Sequence, residues 1–172
     1  MSPVSTTNSR AIYDALKGCG IRLLSALPET WLVHLVRLAD DDPDMMLVRL
    51  AKEEEGVGIS AGAHLAGVKS AMLMQNHGFL AAINAIVSGA QLYRIPVVML
   101  ISDRGTFGER DPWQTEGGAV TETILTALRI PTMRLDDPAR VAQRIQQAHA
   151  LAYASNKPVA LLLTRDLMWE ES

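Results

Sequence analysis

Short apolar runs and stretches of helical spacing alternate from one end of the chain to the other. Ile12, Ala15, Leu16 and Cys19 fall three and four apart, the repeat of one helix face, and Gly18 and Gly20 end that helix. A short apolar run from Ile21 to Leu27, stopped by Pro28, predicts a buried strand. Helical spacing returns through Trp31, Leu32, Leu35 and Val36, until the acidic turn around Pro43 breaks it. The same reading predicts strands over 45–50, 70–74, 96–101, 132–135 and 159–163. It predicts helices over 54–66, 78–92, 119–128 and 138–154, and a long polar loop over 102–118. The first nine residues read as a loose tail.

Strands that are continuously apolar and alternate with helices indicate a parallel sheet covered on both faces. The expected fold is α/β: a doubly wound, six-stranded, mostly parallel sheet with helices on both sides, in one domain spanning 1–172. In such folds ligands bind beyond the carboxyl ends of the strands. That rule gathers Pro28-Glu29-Thr30, Lys52 to Glu55, Gln75-Asn76-His77-Gly78 and the 102–118 loop on one edge. Most of the polar chemistry is there.

Composition narrows the function classes without choosing among them. The chain has 172 residues and a net charge of −3 with both signs dispersed, which argues against nucleic acid or an anionic membrane as the main partner. No run reaches the roughly 18 apolar residues of a membrane span, and the polar N-terminus has no signal-peptide core. The expected compartment is the cytoplasm. The single cysteine, Cys19, forms no intrachain disulfide and is expected to pack as a small core residue.

Familiar motifs are mostly absent. Gly18-Cys19-Gly20 precedes a strand, so it is not a dinucleotide fingerprint, and no Walker-type Gly-Lys-Ser/Thr occurs. The histidines 34, 64, 77 and 149 form no ligand pair, and no metal site is expected. His34 and His149 read as solvent-facing, whereas His77 lies at a strand end, placed for proton transfer or substrate contact. Arg104 and Arg110 could hold an anionic substrate. What remains is Lys52-Glu53-Glu54-Glu55-Gly56-Val57-Gly58. Its carboxylates are either charges favoured by the first turn of a helix, or include one buried functional acid.

That segment, continued by Ile59-Ser60-Ala61-Gly62-Ala63-His64-Leu65-Ala66-Gly67, resembles the pyrimidine-binding domain of thiamine-diphosphate-dependent decarboxylases. Met72 to Gly78 and Ile101 to Gly105 look like the later strand ends of the same domain. The resemblance is strongest to the alpha chains of sulfopyruvate decarboxylases, with phosphonopyruvate decarboxylases next. It implies that Glu54 is the cofactor-activating glutamate, held in a water-poor setting against N1′ of the aminopyrimidine, with Glu53 and Glu55 as helix-start charges. The ring so activated takes up the electron pair released with CO₂ from a 2-oxo acid.

On this reading His77 joins Glu54 as a catalytic residue. Pro28, Asn76 and Gly78 are further cofactor contacts, and Thr30, Arg104 and Gln114 substrate contacts. The Gly-Asp-Gly motif that holds the diphosphate and Mg²⁺ in this family is not in the sequence. A beta subunit is therefore expected to supply those contacts, in an α2β2 or larger assembly. The helix glycines 56, 58 and 62 would suit such an interface. Where the relatives continue Ser-Gly-Leu-Gly-Asn, this chain has His77-Gly78-Phe79-Leu80-Ala81, which leaves the identity of the 2-oxo acid open. The alternative is an α/β binding or regulatory module without catalysis.

Overall fold

The computed structural model describes residues 3–170. Six strands form one parallel sheet in the order β2-β1-β3-β4-β6-β5: β1 Leu23–Ala26, β2 Met46–Arg49, β3 Ser70–Gln75, β4 Val98–Ser102, β5 Thr132–Leu135 and β6 Val159–Leu163. Every pairing is parallel. The sheet is thus all-parallel, beyond the mostly parallel arrangement expected.

Two apolar layers flank it. Helices α1 (Thr6–Gly18), α2 (Val33–Asp40) and α6 (Val141–Ser155) cover one face through residues such as Leu16, Leu35 and Ile145. Helices α3 (Glu53–Leu65), α4 (Asn76–Ala85) and α5 (Pro112–Ala127) cover the other through Val57, Phe79 and Leu125. Helix α4 runs on as a π-helical segment, Ile86–Gln91, and a short α7 (Arg165–Met168) follows β6. The central strands are buried apart from Gln75 at the end of β3, whereas β2 and β5, at the edges, are partly exposed. Among the described residues no helix is long and apolar enough to cross a membrane.

The register sets the site. Gln75 is level with Ser102, and Ala26 pairs Leu73 on one side and Arg49 on the other. The segments leaving β1, β2, β3 and β4 therefore emerge together at one edge.

Two expectations change. Residues 1–2 lie outside the described residues, but 3–9 are no loose tail. Val4 is buried and bridges Trp169, Ser5 caps α1 by accepting from the Asn8 N–H, and Ser9 is fully buried. The 102–118 loop is shorter than expected, because α5 starts at Pro112, whose fixed φ and missing N–H suit the first helical position.

Candidate active site

The rotation of α3 decides which glutamate faces inward. Lys52 is extended, and the Glu55 carboxylate reaches back to accept from the N–H groups of Ala51 (3.0 Å) and Lys52 (3.4 Å), capping the helix start from one side. With the helix pinned at this angle, Glu53, Gly56, Val57, Ser60 and Ala63 point into the protein. Gly56 lets the helix sit close on the sheet: a methyl there would meet Met72 Cε at 2.6 Å and Ser25 Oγ at 3.0 Å.

Glu53 is the buried acid, only 7% exposed. Its carboxylate lies against the backbone of α4, where a methyl on Gly78 would fall 2.3 Å from Oε1. Among the described residues it has no hydrogen-bond or ion-pair partner. Glu54 is on the outer face, its side chain 47% exposed and 3.7 Å from Lys52 Nζ. The burial expected for these two residues is reversed in this chain: Glu54 lies on the exposed face of α3 and Glu53 points inward. The cause is the cap, since one step along a helix turns a side chain by about 100°.

Asn76 follows as the first residue of α4. It is fully buried, and Nδ2 donates to the Arg104 carbonyl (2.9 Å) while Oδ1 has no partner. His77 comes next, exposed, with its ring against α5. A methyl on Gly117 would fall 2.6 Å from its Cε1. Glu53, Gly78, His77 and Gly117 therefore form a continuous line of contacts across three neighbouring helices.

Residues 6–123 match the family model described as thiamine pyrophosphate enzyme, N-terminal TPP binding domain. The chain belongs to that family. It is 39% identical over 162 residues to sulfopyruvate decarboxylase subunit alpha of Methanocaldococcus jannaschii, covering 94% of this chain and 95% of that one. Sulfopyruvate decarboxylase of Methanosarcina acetivorans is 36% identical over 115 residues, which are 66% of this chain but 29% of that longer one. In fold the chain resembles benzoylformate decarboxylase from Polynucleobacter necessarius, with a TM-score of 0.74 over 96% of this chain and 31% of that one at 18% identity.

The other residues expected at this edge divide sharply. Pro28 and Thr30 are exposed where β1 ends. Arg104 is not available to a substrate: it is 6% exposed and spent inside the protein. Nε and Nη2 donate to the two oxygens of Glu109 (2.7 and 2.9 Å), Nη2 also donates to Asp111 (2.8 Å), and the guanidinium lies 5.0 Å from the Trp31 ring centre. The hydrogen bonds from Arg104 hold the Glu109 carboxyl down to about 2, against the opposing effect of burial. Gln114 is likewise buried, with Nε2 donating to Gln75 Oε1 (3.1 Å).

Phe79 does not border the site either, being fully buried in the core beneath α4. Of the departures after Asn76, the imidazole is the one that reaches the rim. At the far end of the sheet His149, expected in solvent, is half-buried with its ring 4.6 Å from that of Tyr153. Burial pulls its pKa down, helped by Lys69.

Two signals for this site were present in the sequence. Positions 53, 57, 60 and 63 share a helix face, but glycines and alanines on the opposite side blunt the apolar contrast that would have exposed it. The Gly117-Gly118 pair, costing about 1 kcal/mol per residue inside a helix, marks a place where other groups come close. They are His77 at Gly117 and the Arg104 carbonyl at Gly118.

Proposed function

We propose that this chain is the pyrimidine-binding subunit of a thiamine-diphosphate-dependent decarboxylase. Its substrate is a 2-oxo acid, with sulfopyruvate favoured by the names of its relatives and sulfoacetaldehyde and CO₂ as products. The observation that carries the reading is the Glu53 carboxylate: nearly buried, unpartnered, and held at the carboxyl edge of the sheet. A carboxylate with no partner inside the chain is free to pair with a polar group of a ligand at this edge.

The N1′ of an aminopyrimidine fits that place when one proton is shared between it and the carboxyl group. When bound, thiamine diphosphate supplies the electron sink for loss of CO₂. The work of this chain is narrower. With the cofactor bound, Glu53 would hold the proton at N1′; Gly78 leaves room for its carboxylate, and the Asn76–Arg104 bond fixes the start of α4 beside it. This reading gives Glu53 the role that the resemblance implies for Glu54.

The diphosphate and Mg²⁺ are assigned to a partner chain. Three consecutive glutamates, 53–55, stand at this edge, and its buried Arg104 guanidinium is already paired with Glu109 and Asp111. A relative called subunit alpha that matches over 95% of its own length supports a separate second chain. So does a decarboxylase in which the matching segment is 29% of a longer polypeptide.

The test pairs Glu53→Gln with Glu54→Gln, each assembled with the diphosphate-binding chain. Glu53→Gln is expected to lower turnover of sulfopyruvate by about 100-fold or more, the scale of a lost proton-transfer group. Glu54→Gln is expected to stay within about threefold. Full activity in the Glu53 variant, or its loss only in the Glu54 variant, overturns the assignment.

A further inference from the structure

The turn from Arg104 to Gly108 carries the carbonyl that fixes α4. That carbonyl, of Arg104, accepts from Asn76 Nδ2 at the start of α4 (2.9 Å) and lies close over Gly118 of α5. Gly105 and Gly108 both have positive φ, +77° and +86°. Glycine imposes few preferences of its own, so such a turn is as rigid as the groups packed around it. Glu109 supplies one support, accepting from the Arg104 guanidinium and from the Gly105 N–H (3.1 Å).

A second support is a ladder of four side chains. The Arg104 guanidinium lies 5.0 Å from the centre of the Trp31 ring, and the Trp31 and Trp169 rings are 6.4 Å apart at 44°. The Arg165 guanidinium lies 4.9 Å from the centre of Trp169. Each spacing is within the range in which rings attract one another or a cation. The ladder then returns to the turn it started from, since a methyl on Gly108 would fall 3.0 Å from Arg165 Nε. The turn is therefore gripped at both ends. Main-chain bonds fix the Trp169 end: the Ser5 N–H donates to the Met168 carbonyl (2.8 Å) and the Glu170 N–H to the Pro3 carbonyl (2.7 Å). Arg165 Nε is buried with no hydrogen-bond partner among the described residues, which leaves the Trp169 ring and the Gly108 backbone to place that side chain.

We propose that Trp169 is a positioning residue for the active edge. It holds the Trp31 ring against the Arg104 guanidinium and the Arg165 side chain against Gly108, and so keeps the Arg104 carbonyl on Asn76. That bond sets the start of α4, and with it the Gly78 backbone on which the Glu53 carboxylate rests. The consequence for turnover rests on the decarboxylase reading, whereas the clamp on the turn does not.

The experiment measures amide exchange on the full chain by itself, and turnover on the chain assembled with the diphosphate-binding subunit. Trp169→Ala is expected to speed exchange over 105–111 about tenfold, the scale of losing one ring pair and one cation–ring contact, with the central strands little changed. In the assembled enzyme it is expected to lower kcat for sulfopyruvate about tenfold, because a displaced carboxylate costs orientation. The half-saturating concentration of thiamine diphosphate should stay within about twofold, since the partner holds the diphosphate. Trp169→Phe keeps a ring face for both neighbours and is expected to restore exchange and kcat to within about threefold of the parent. Should Trp169→Ala not fold, Arg165→Met, which leaves both indoles in place, carries the same test at about threefold. Unchanged exchange over 105–111 overturns the proposal. So does faster exchange spread evenly over the sheet, which would make Trp169 a general stabiliser, or faster local exchange with unchanged kcat. Full activity in Glu53→Gln removes the decarboxylase reading instead, and the exchange result then decides the clamp by itself.

Discussion

Glu29 shows how one residue at this edge sets a dependence on pH. Burial raises its carboxyl pKa above the ordinary 4.5, and the Trp31 backbone N–H, the Ser102 hydroxyl and Arg104 draw it only partway back. A group whose folded pKa is raised favours the fold while protonated and loses that advantage as pH climbs through the elevated value. Glu29→Gln keeps the shape and cannot ionise. Its unfolding midpoint is therefore expected to exceed that of the parent at pH 8, with the gap narrowing as pH falls towards 4.5. Thermal melts of both proteins across that range check this, and a gap that stays constant counts against it. At this scale the sequence was only partly legible. It located three adjacent glutamates, but their different fates depend on rotation about the helix axis. That rotation is fixed by the Glu55 cap on Ala51 and Lys52, not by any apolar stripe strong enough to read.

At the scale of elements, the segment between β4 and α5 is held by charge instead of an apolar core. Asp111 begins α5 without capping it, because its carboxylate is turned to Arg104. Arg104→Met would leave Glu109, 6% exposed, as a buried carboxylate without a cation. The expected cost is about 3 kcal/mol, with faster amide exchange over 105–111, and Glu109→Gln in the same chain should recover part of it. Acid should loosen the parent in the same way: the Glu109 contribution is complete above its ordinary 4.5 and is lost as pH falls towards about 2. Exchange rates unchanged in Arg104→Met would refute this account of the segment. Strand positions were readable because central parallel strands are apolar throughout. The start of α5 was hidden: Pro112 is a fair start signal, but Gly117 and Gly118 resemble loop composition, and their reason lies in His77 and Arg104, brought close only by the fold.

For the whole molecule, the glycines of α3 separate what this chain does by itself from what it does with a partner. Gly56 faces inward and is needed for the fold, since a methyl there would strike Met72. Gly58 and Gly62 lie on the outer face beside Glu54, and a methyl at either meets nothing within 4 Å. In the isolated chain, replacing both with alanine should therefore stabilise the helix, by about 1 kcal/mol per site. The same double substitution should weaken assembly if that face is closed against the diphosphate-binding chain, because close helix packing depends on the missing side chains. The two effects have opposite signs, so a denaturation curve of the lone subunit and a titration of it into its partner distinguish them. Higher stability with unchanged assembly would place the partner on another face. Lower stability would mean that the outer face of α3 is already occupied within the chain.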